Sequence, residues 1–415
     1  MKGKRINIII LWLVAWLLPV NPGFGAIHII YPDGEKNVLQ KAIDKASPGD
    51  TLLVKRGHYY SNNILVNKPL VLIGLGQPVV DGRNQGEIFT ITADSVELAG
   101  FIVQNVGTSY VEDWAGIKVK SAKWVKVHHN VLKNTFFGIY LEHAHHVLVT
   151  RNLIAGEAVD ETSSGNAIHA WYCHDLRITH NMATGHRDGI YFEFVENSLI
   201  AYNVSYRNIR YGMHFMFSDH DVYLNNVFKS NGVGVAVMYS RNISMFRNTF
   251  QQNWGGAAYG LLLKEMTECR IGFNRFQENT IALYAESATR TVIVGNEFIL
   301  NGWGIKMLGS STHNRIIAND FYSNSFDLAT NTRNNFNDYA YNYWDHYAGY
   351  DLDKDGIGDV PYRPVKLFAY LVEQFPPSII LMHSPLMKLL DFSEKIIPAI
   401  TPEYLLDTKP KMKAT

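Results

Sequence analysis

Imidazole and thioether side chains crowd into one stretch of the chain, YGMHFMFSDH, residues 211 to 220. An imidazole with two thioethers is a soft donor set, suited to Cu(I) and poorly suited to Mg²⁺ or Ca²⁺. His214 and Met216 stand two residues apart, so on a strand they leave the same face about 6.8 Å from each other. Met238 follows one sequence repeat later and completes the set. His169 is a further imidazole of the same pattern, and Cys173, His174, His180, Met182, His186 and Glu193 offer material for a second station. A separate, hard-ligand pattern lies in YDLDKDGIGDVPY, residues 350 to 362. Asp351, Asp353 and Asp355 at positions one, three and five, Gly356 at six and Asp359 at nine follow a Ca²⁺ loop. Tyr362 occupies the place of the usual bidentate Glu, so a plain Asp/Gly turn is the competing reading.

What must position these residues is a repeat of roughly 22 residues. Asn130, Asn152, Asn181, Asn203, Asn226, Asn248, Asn274, Asn296 and Asn319 mark it, each followed by a small residue that opens a strand. Those strands read GIKVK from Gly116, GIYLE from Gly138, AIHAW from Ala167, GIYFE from Gly189, GMHFM from Gly212 and GVAVM from Gly234. The first and third residues after the small one are apolar and turn inward, while the second and fourth turn outward. With no helical pattern between strands, the repeat predicts an all-β fold: a right-handed, single-stranded parallel β-helix of the pectin-lyase-like kind, its coils about 4.8 Å apart. The asparagines then stack into a ladder of amides with a structural rather than chemical role. Ahead of the coils, Val38, Leu39, Ala42, Ile43 and Ala46 predict an amphipathic helix that caps the open first coil.

The chain of 415 residues carries 38 basic and 38 acidic side chains, a balance that gives no reason to expect nucleic acid as a partner. Residues 1 to 25 have a basic start, an apolar run from Ile8 to Val20 and small residues near Ala26, the pattern of a cleaved export signal. The run is shorter than the ~20 residues a membrane span needs. The β-helix is expected over residues 26 to 340. An Asp-rich turn and an irregular, partly helical tail follow over 341 to 415, where prolines interrupt the chain. Cys173 and Cys269 fall about four strands apart, too far to pair.

Insertions at 105 to 115, 157 to 166 and 253 to 259 all fall between the Asn and the small residue, and loops on one edge of a solenoid border its binding face. Beside them run two outward columns. One holds Tyr140, His169, Tyr191, His214 and Tyr284, the other Glu142, Trp171, Glu193, Met216 and Met238. Three readings of this stripe stay open from residue types alone: packing beneath the loops, a metal site, or an aromatic platform for sugar. Acid/base chemistry on a sugar would draw on Glu142, Asp188 and Glu193.

Several of these segments, GNAIHAWYCH, GHRDGIYFEF, YGMHFMFSDH, GVAVMYS and YGLLLKE, with the long tail segment YNYWDHYAGYDLDKDGIGDVPYRPVKLF and its continuation, resemble the NosD family. The resemblance implies a non-enzymatic periplasmic accessory that handles copper, carried transiently as Cu(I). Its implied partners are the permease and ATPase of an ABC-type complex, a copper-chaperone lipoprotein, and nitrous oxide reductase, whose copper centres it helps assemble. The tail would then either dock on the membrane partner or cap the last coil. A polysaccharide lyase or epimerase, or a carbohydrate-binding protein, is the alternative on the same fold.

Overall fold

The computed structural model describes residues 25–34, 37–109, 111–255, 258–332, 336–382, 384–396 and 405–414. The export signal expected over residues 1 to 25 lies, apart from Gly25, outside the described residues. The chain winds as the repeat predicts. Each coil contributes one short strand to each of three parallel sheets of 14, 13 and 12 strands, and strands of successive coils are hydrogen-bonded neighbours in every sheet. In one coil the path runs Lys126–His128 in the first sheet, Val131–Lys133 in the second and Phe137–Glu142 in the third. The three long insertions all lie between the second and third sheets.

Corners between sheets are made by single residues in the left-handed region, including Arg151, Tyr202, Asn225, Arg247 and Phe273 just ahead of a ladder asparagine. For a residue with a Cβ this conformation costs about 1–3 kcal/mol. The ladder offsets it. Asn226 Oδ1 accepts from both the backbone N–H and the side-chain amide of Asn203, at 2.9 and 3.0 Å, while its own Nδ2 donates to the carbonyl of Ile200 at 2.8 Å. The same pattern runs without a break from Asn130 to Asn342. A second ladder, not anticipated from the repeat, joins Asn208, Asn231, Asn253, Asn279, Asn301 and Asn324 at the corner between the second and third sheets. Between the ladders the bore is filled by inward side chains, among them a continuous ring stack of Phe250, Phe276, Phe298, Phe321 and Trp344 with centroids 4.2–4.9 Å apart.

Both ends are closed. Helix α1 (Val38–Lys45) buries Leu39 and Ile43 over the first coil, as expected. At the other end α2 (Leu367–Gln374) lays Phe368 against Phe326 of the last strand of the third sheet, and Lys306 reaches Glu373 at 2.7 Å. A 3₁₀ turn (Pro376–Leu381) and α3 (Pro385–Ile396) follow. The chain then returns, and Asp407 takes the next rung of the ladder, accepting from Asn342 N, Asn342 Nδ2 and Trp344 Nε1 at 3.0–3.1 Å. No described helix is long and apolar enough to cross a membrane.

Replacing Asn226 by Ala strands two donors of Asn203 and the carbonyl of Ile200 in a dry corner. A loss of about 3–6 kcal/mol is expected, read as a lower urea midpoint. Asn242→Ala, at an exposed corner where the amide meets only His220, should cost about 1 kcal/mol or less.

Candidate functional site

Both outward columns of the third sheet are in the expected register. Tyr140, His169, Tyr191, His214 and Ala236 pair in succession, as do Glu142, Trp171, Glu193, Met216 and Met238. Their two ends are covered. At the early end the 105–115 loop reaches over, with Tyr140 Oη donating to Asp113 at 3.1 Å, and Asn166 donates to His169 Nδ1 at 3.0 Å. At the late end α2 covers Lys306. Between them a window is left, with Met216 and Met238 half-buried and directly paired across adjacent coils.

His214 lies in that window and is 7 % exposed, although it points outward. The rings of Tyr211 and Tyr191, with centroids 4.7 and 5.2 Å away, wall it in. Neither Nδ1 nor Nε2 has a hydrogen-bond partner. Burial pushes its pKa down from 6.5 to about 4, so the ring is neutral at physiological pH with its basic nitrogen free. Inward neighbours Met213 and Phe215 are wholly buried core.

The remaining candidates are dispersed. His169 is two coils from His214, with Tyr191 between them, and its ring is sandwiched by Tyr140 and Tyr191 at 4.5 and 4.7 Å. The left-handed corner at Tyr172 resets the strand alternation, so Cys173 turns into the core, where burial raises its thiol to about 12. It and Cys269 are both buried free thiols. His174 faces Asp175 at 2.7 Å beyond that corner. His180 stacks on Tyr202 at another corner, and Met182 is exposed on the second sheet. His186 is buried in the bend between two strands, bonded to Thr184 O and Thr135. Glu193 alone of this group lies beside the window, next to Met216. In the Asp-rich turn, Asp351, Asp353 and Asp355 bring carboxylate oxygens within 4.8 Å of one another. Asp359 is turned back to accept from Leu352 N at 2.7 Å.

Sequence reasoning missed the walls of the window. Tyr211 precedes the small residue and carries no periodic signal of burial. It also missed an exposed ring stack, Tyr172, Phe194, Phe217 and Tyr239, one residue beyond the fourth-position column, with centroids 4.4–5.2 Å apart. Because each ring covers the face of the next, the stack shows edges to solvent. The carboxylates are committed as well: Asp188 is fully buried in a two-pronged pair with Arg210, and Glu142 holds Lys120 at 3.0 Å. A groove of about 560 Å³ lies over the first sheet beside Trp124, His146 and His220, away from His214.

This architecture is a parallel β-helix with an outward, half-covered patch of imidazole and thioether donors. Solved structures share the coil: a surface adhesin of Streptococcus pneumoniae, PfbA (TM-score 0.58, 11 % identity, 72 % of this chain and 90 % of that one), and the A-module of the Azotobacter vinelandii mannuronan C-5 epimerase AlgE6 (0.52, 15 %, 74 % and 88 %). At such identities the likeness is one of fold alone. The family is more specific. Residues 151–349 match the family described as periplasmic copper-binding protein (NosD). A probable ABC transporter binding protein NosD of Pseudomonas aeruginosa is 28 % identical over 373 residues, spanning 85 % of this chain and 86 % of that protein. The protein of the same name in Stutzerimonas stutzeri is 27 % identical, spanning 85 % of each. The NosD match thus falls on the central coils that carry the window, and the likeness to the two relatives extends over most of the chain.

His169, His186 and His214 are all held neutral, with pKa values lowered to about 3, 4 and 4 by burial. An unfolded chain takes up these protons near pH 6.5 while the folded chain refuses them until about pH 4. The stability they contribute is therefore present above pH 6.5 and lost as pH falls through the folded values. In urea titrations between pH 6.5 and 4, His214→Leu should flatten the pH dependence by up to about 1.4 kcal/mol per pH unit.

Proposed function

We propose that this chain is a periplasmic accessory protein that holds Cu(I) in passage at His214, Met216 and Met238. It works beside the permease and ATPase of an ABC-type complex, takes copper from a lipoprotein chaperone and serves assembly of the copper centres of nitrous oxide reductase. The observation that carries this reading is the pair of buried, unpartnered nitrogens of His214. A buried polar group without a partner costs about 1–3 kcal/mol, and such a cost persists where the group has a task. Here a neutral imidazole stands two residues from one thioether, which pairs with a second in the next coil. Nitrogen and two sulfurs select Cu(I) over harder ions. The NosD match and the names of the relatives support the copper and transporter roles.

Two observations disfavour a sugar-acting reading. Tyr140 and Tyr191 each give a face to His169, and Tyr172, Phe194, Phe217 and Tyr239 cover one another, while Asp188 and Glu142 are tied to cations rather than poised for proton transfer. For the transporter partner, the tail offers a surface: Ile380 and Leu389 are exposed beyond the capping helix. We assign docking to that segment.

Cu(I) titration against a competing chelator tests the site. One tight equivalent is expected, weakened at least about 100-fold in His214→Ala/Met216→Ala/Met238→Ala. Because the imidazole is already deprotonated, affinity should stay level from neutral pH to about pH 5 and fall below about pH 4. Undiminished binding by the triple variant would remove the site. Ile380→Asp/Leu389→Asp should keep Cu(I) binding and lose co-purification with the permease, whereas retained co-purification would refute docking through the tail.

A further inference from the structure

The column of small residues that opens each strand of the third sheet ends abruptly. Opposite Gly304, where eight earlier coils carry Gly or Ala, the last coil has Asp327. Its carboxylate is 3 % exposed. A carboxyl group so deep in an apolar end needs polar partners, and Asn324 supplies one amide at 3.3 Å. Facing it across the coil is His346, whose Nδ1 lies 3.5 Å from Asp327 Oδ2 and 2.8 Å from Asp345 Oδ1. Asp345 is steadied through its other oxygen, which accepts from Ser323 N. Its Oδ1 is buried and, despite the short approach to His346, forms no well-aligned hydrogen bond. One donor atom from each of the three residues falls within 4.8 Å of the others. A small pocket of about 10 Å³, with Lys366 and Ala369 also in its lining, adjoins Asp327 and His346, and such a volume holds roughly one water or ion.

We propose that Asp327, Asp345 and His346 bind one divalent cation of the Zn²⁺ or Mn²⁺ class and clamp the terminal coil beneath the helical tail. One imidazole with two carboxylates suits borderline divalent ions; it lacks the sulfur that Cu(I) prefers and the larger oxygen shell that Ca²⁺ takes. With His346 half exposed, water completes the coordination. The place is mechanically apt. Asp327 belongs to the third sheet, Asp345 and His346 follow the end of the second, and among the described residues no further full coil lies above to hold the two together. The site is independent of the Cu(I) window.

The test uses the purified full chain, stripped with chelator, with Mn²⁺ followed by loss of its free-ion paramagnetic resonance signal and Zn²⁺ by competition. It is run in parallel on Asp351→Asn/Asp353→Asn, which disables the neighbouring acidic turn. One equivalent should bind in both proteins and raise Tm by a few degrees. Asp327→Asn and His346→Gln, each checked for a native circular dichroism spectrum, should weaken binding at least about tenfold. Neither should alter Cu(I) affinity. Three results would overturn the proposal: no uptake of either ion, uptake unchanged in both site variants, or uptake lost only with the acidic turn.

Discussion

The asparagine ladder sets everything else. Its rungs run from Asn130 to Asn342 and close on Asp407, and each amide is bonded in both directions along the stack. A ladder rung fixes both height and register, because an amide displaced by one residue would lose its bond to the coil above and the coil below together. Left-handed corners, short strands and abrupt turns are all tolerable because each is paid for at the same place in every coil.

That register is what creates the window. Met216 and Met238 come together because they are the same position of successive coils, and His214 joins them because two residues of strand return to the same face. No local motif is involved. The site is a vertical object assembled by stacking, and its walls come from the coil below, Tyr191, and from the first residue of the same strand, Tyr211. Coverage at the two ends of the column, by an inserted loop and by α2, confines what is left to the middle coils.

Period and facing were legible in the sequence, since inward and outward positions alternate strictly and the small residue marks their phase. The columns follow directly, and so does the helical cap at the start. Coverage was not legible. His214 alternates like an exposed residue, yet it is buried with two tyrosine rings against it. Cys173 was misleading for a related reason: the corner at Tyr172 breaks the strand alternation and turns the thiol into the core. The second ladder escaped notice because Asn208, Asn231, Asn253 and Asn279 stand a fixed five residues after the first, so their signal merged with it. Asp407 was illegible in principle, being a rung supplied after a detour of some 65 residues.

The helical cap at the late end has a consequence for geometry. Four strand steps of the third sheet separate the coil of Met238 from the one that α2 covers, a rise of about 19 Å through a filled, hydrogen-bonded bore. A body gripping the tail and a body reaching the thioethers therefore meet the rod at different heights. Both can be held at once, and the rod between them works as a spacer of fixed length.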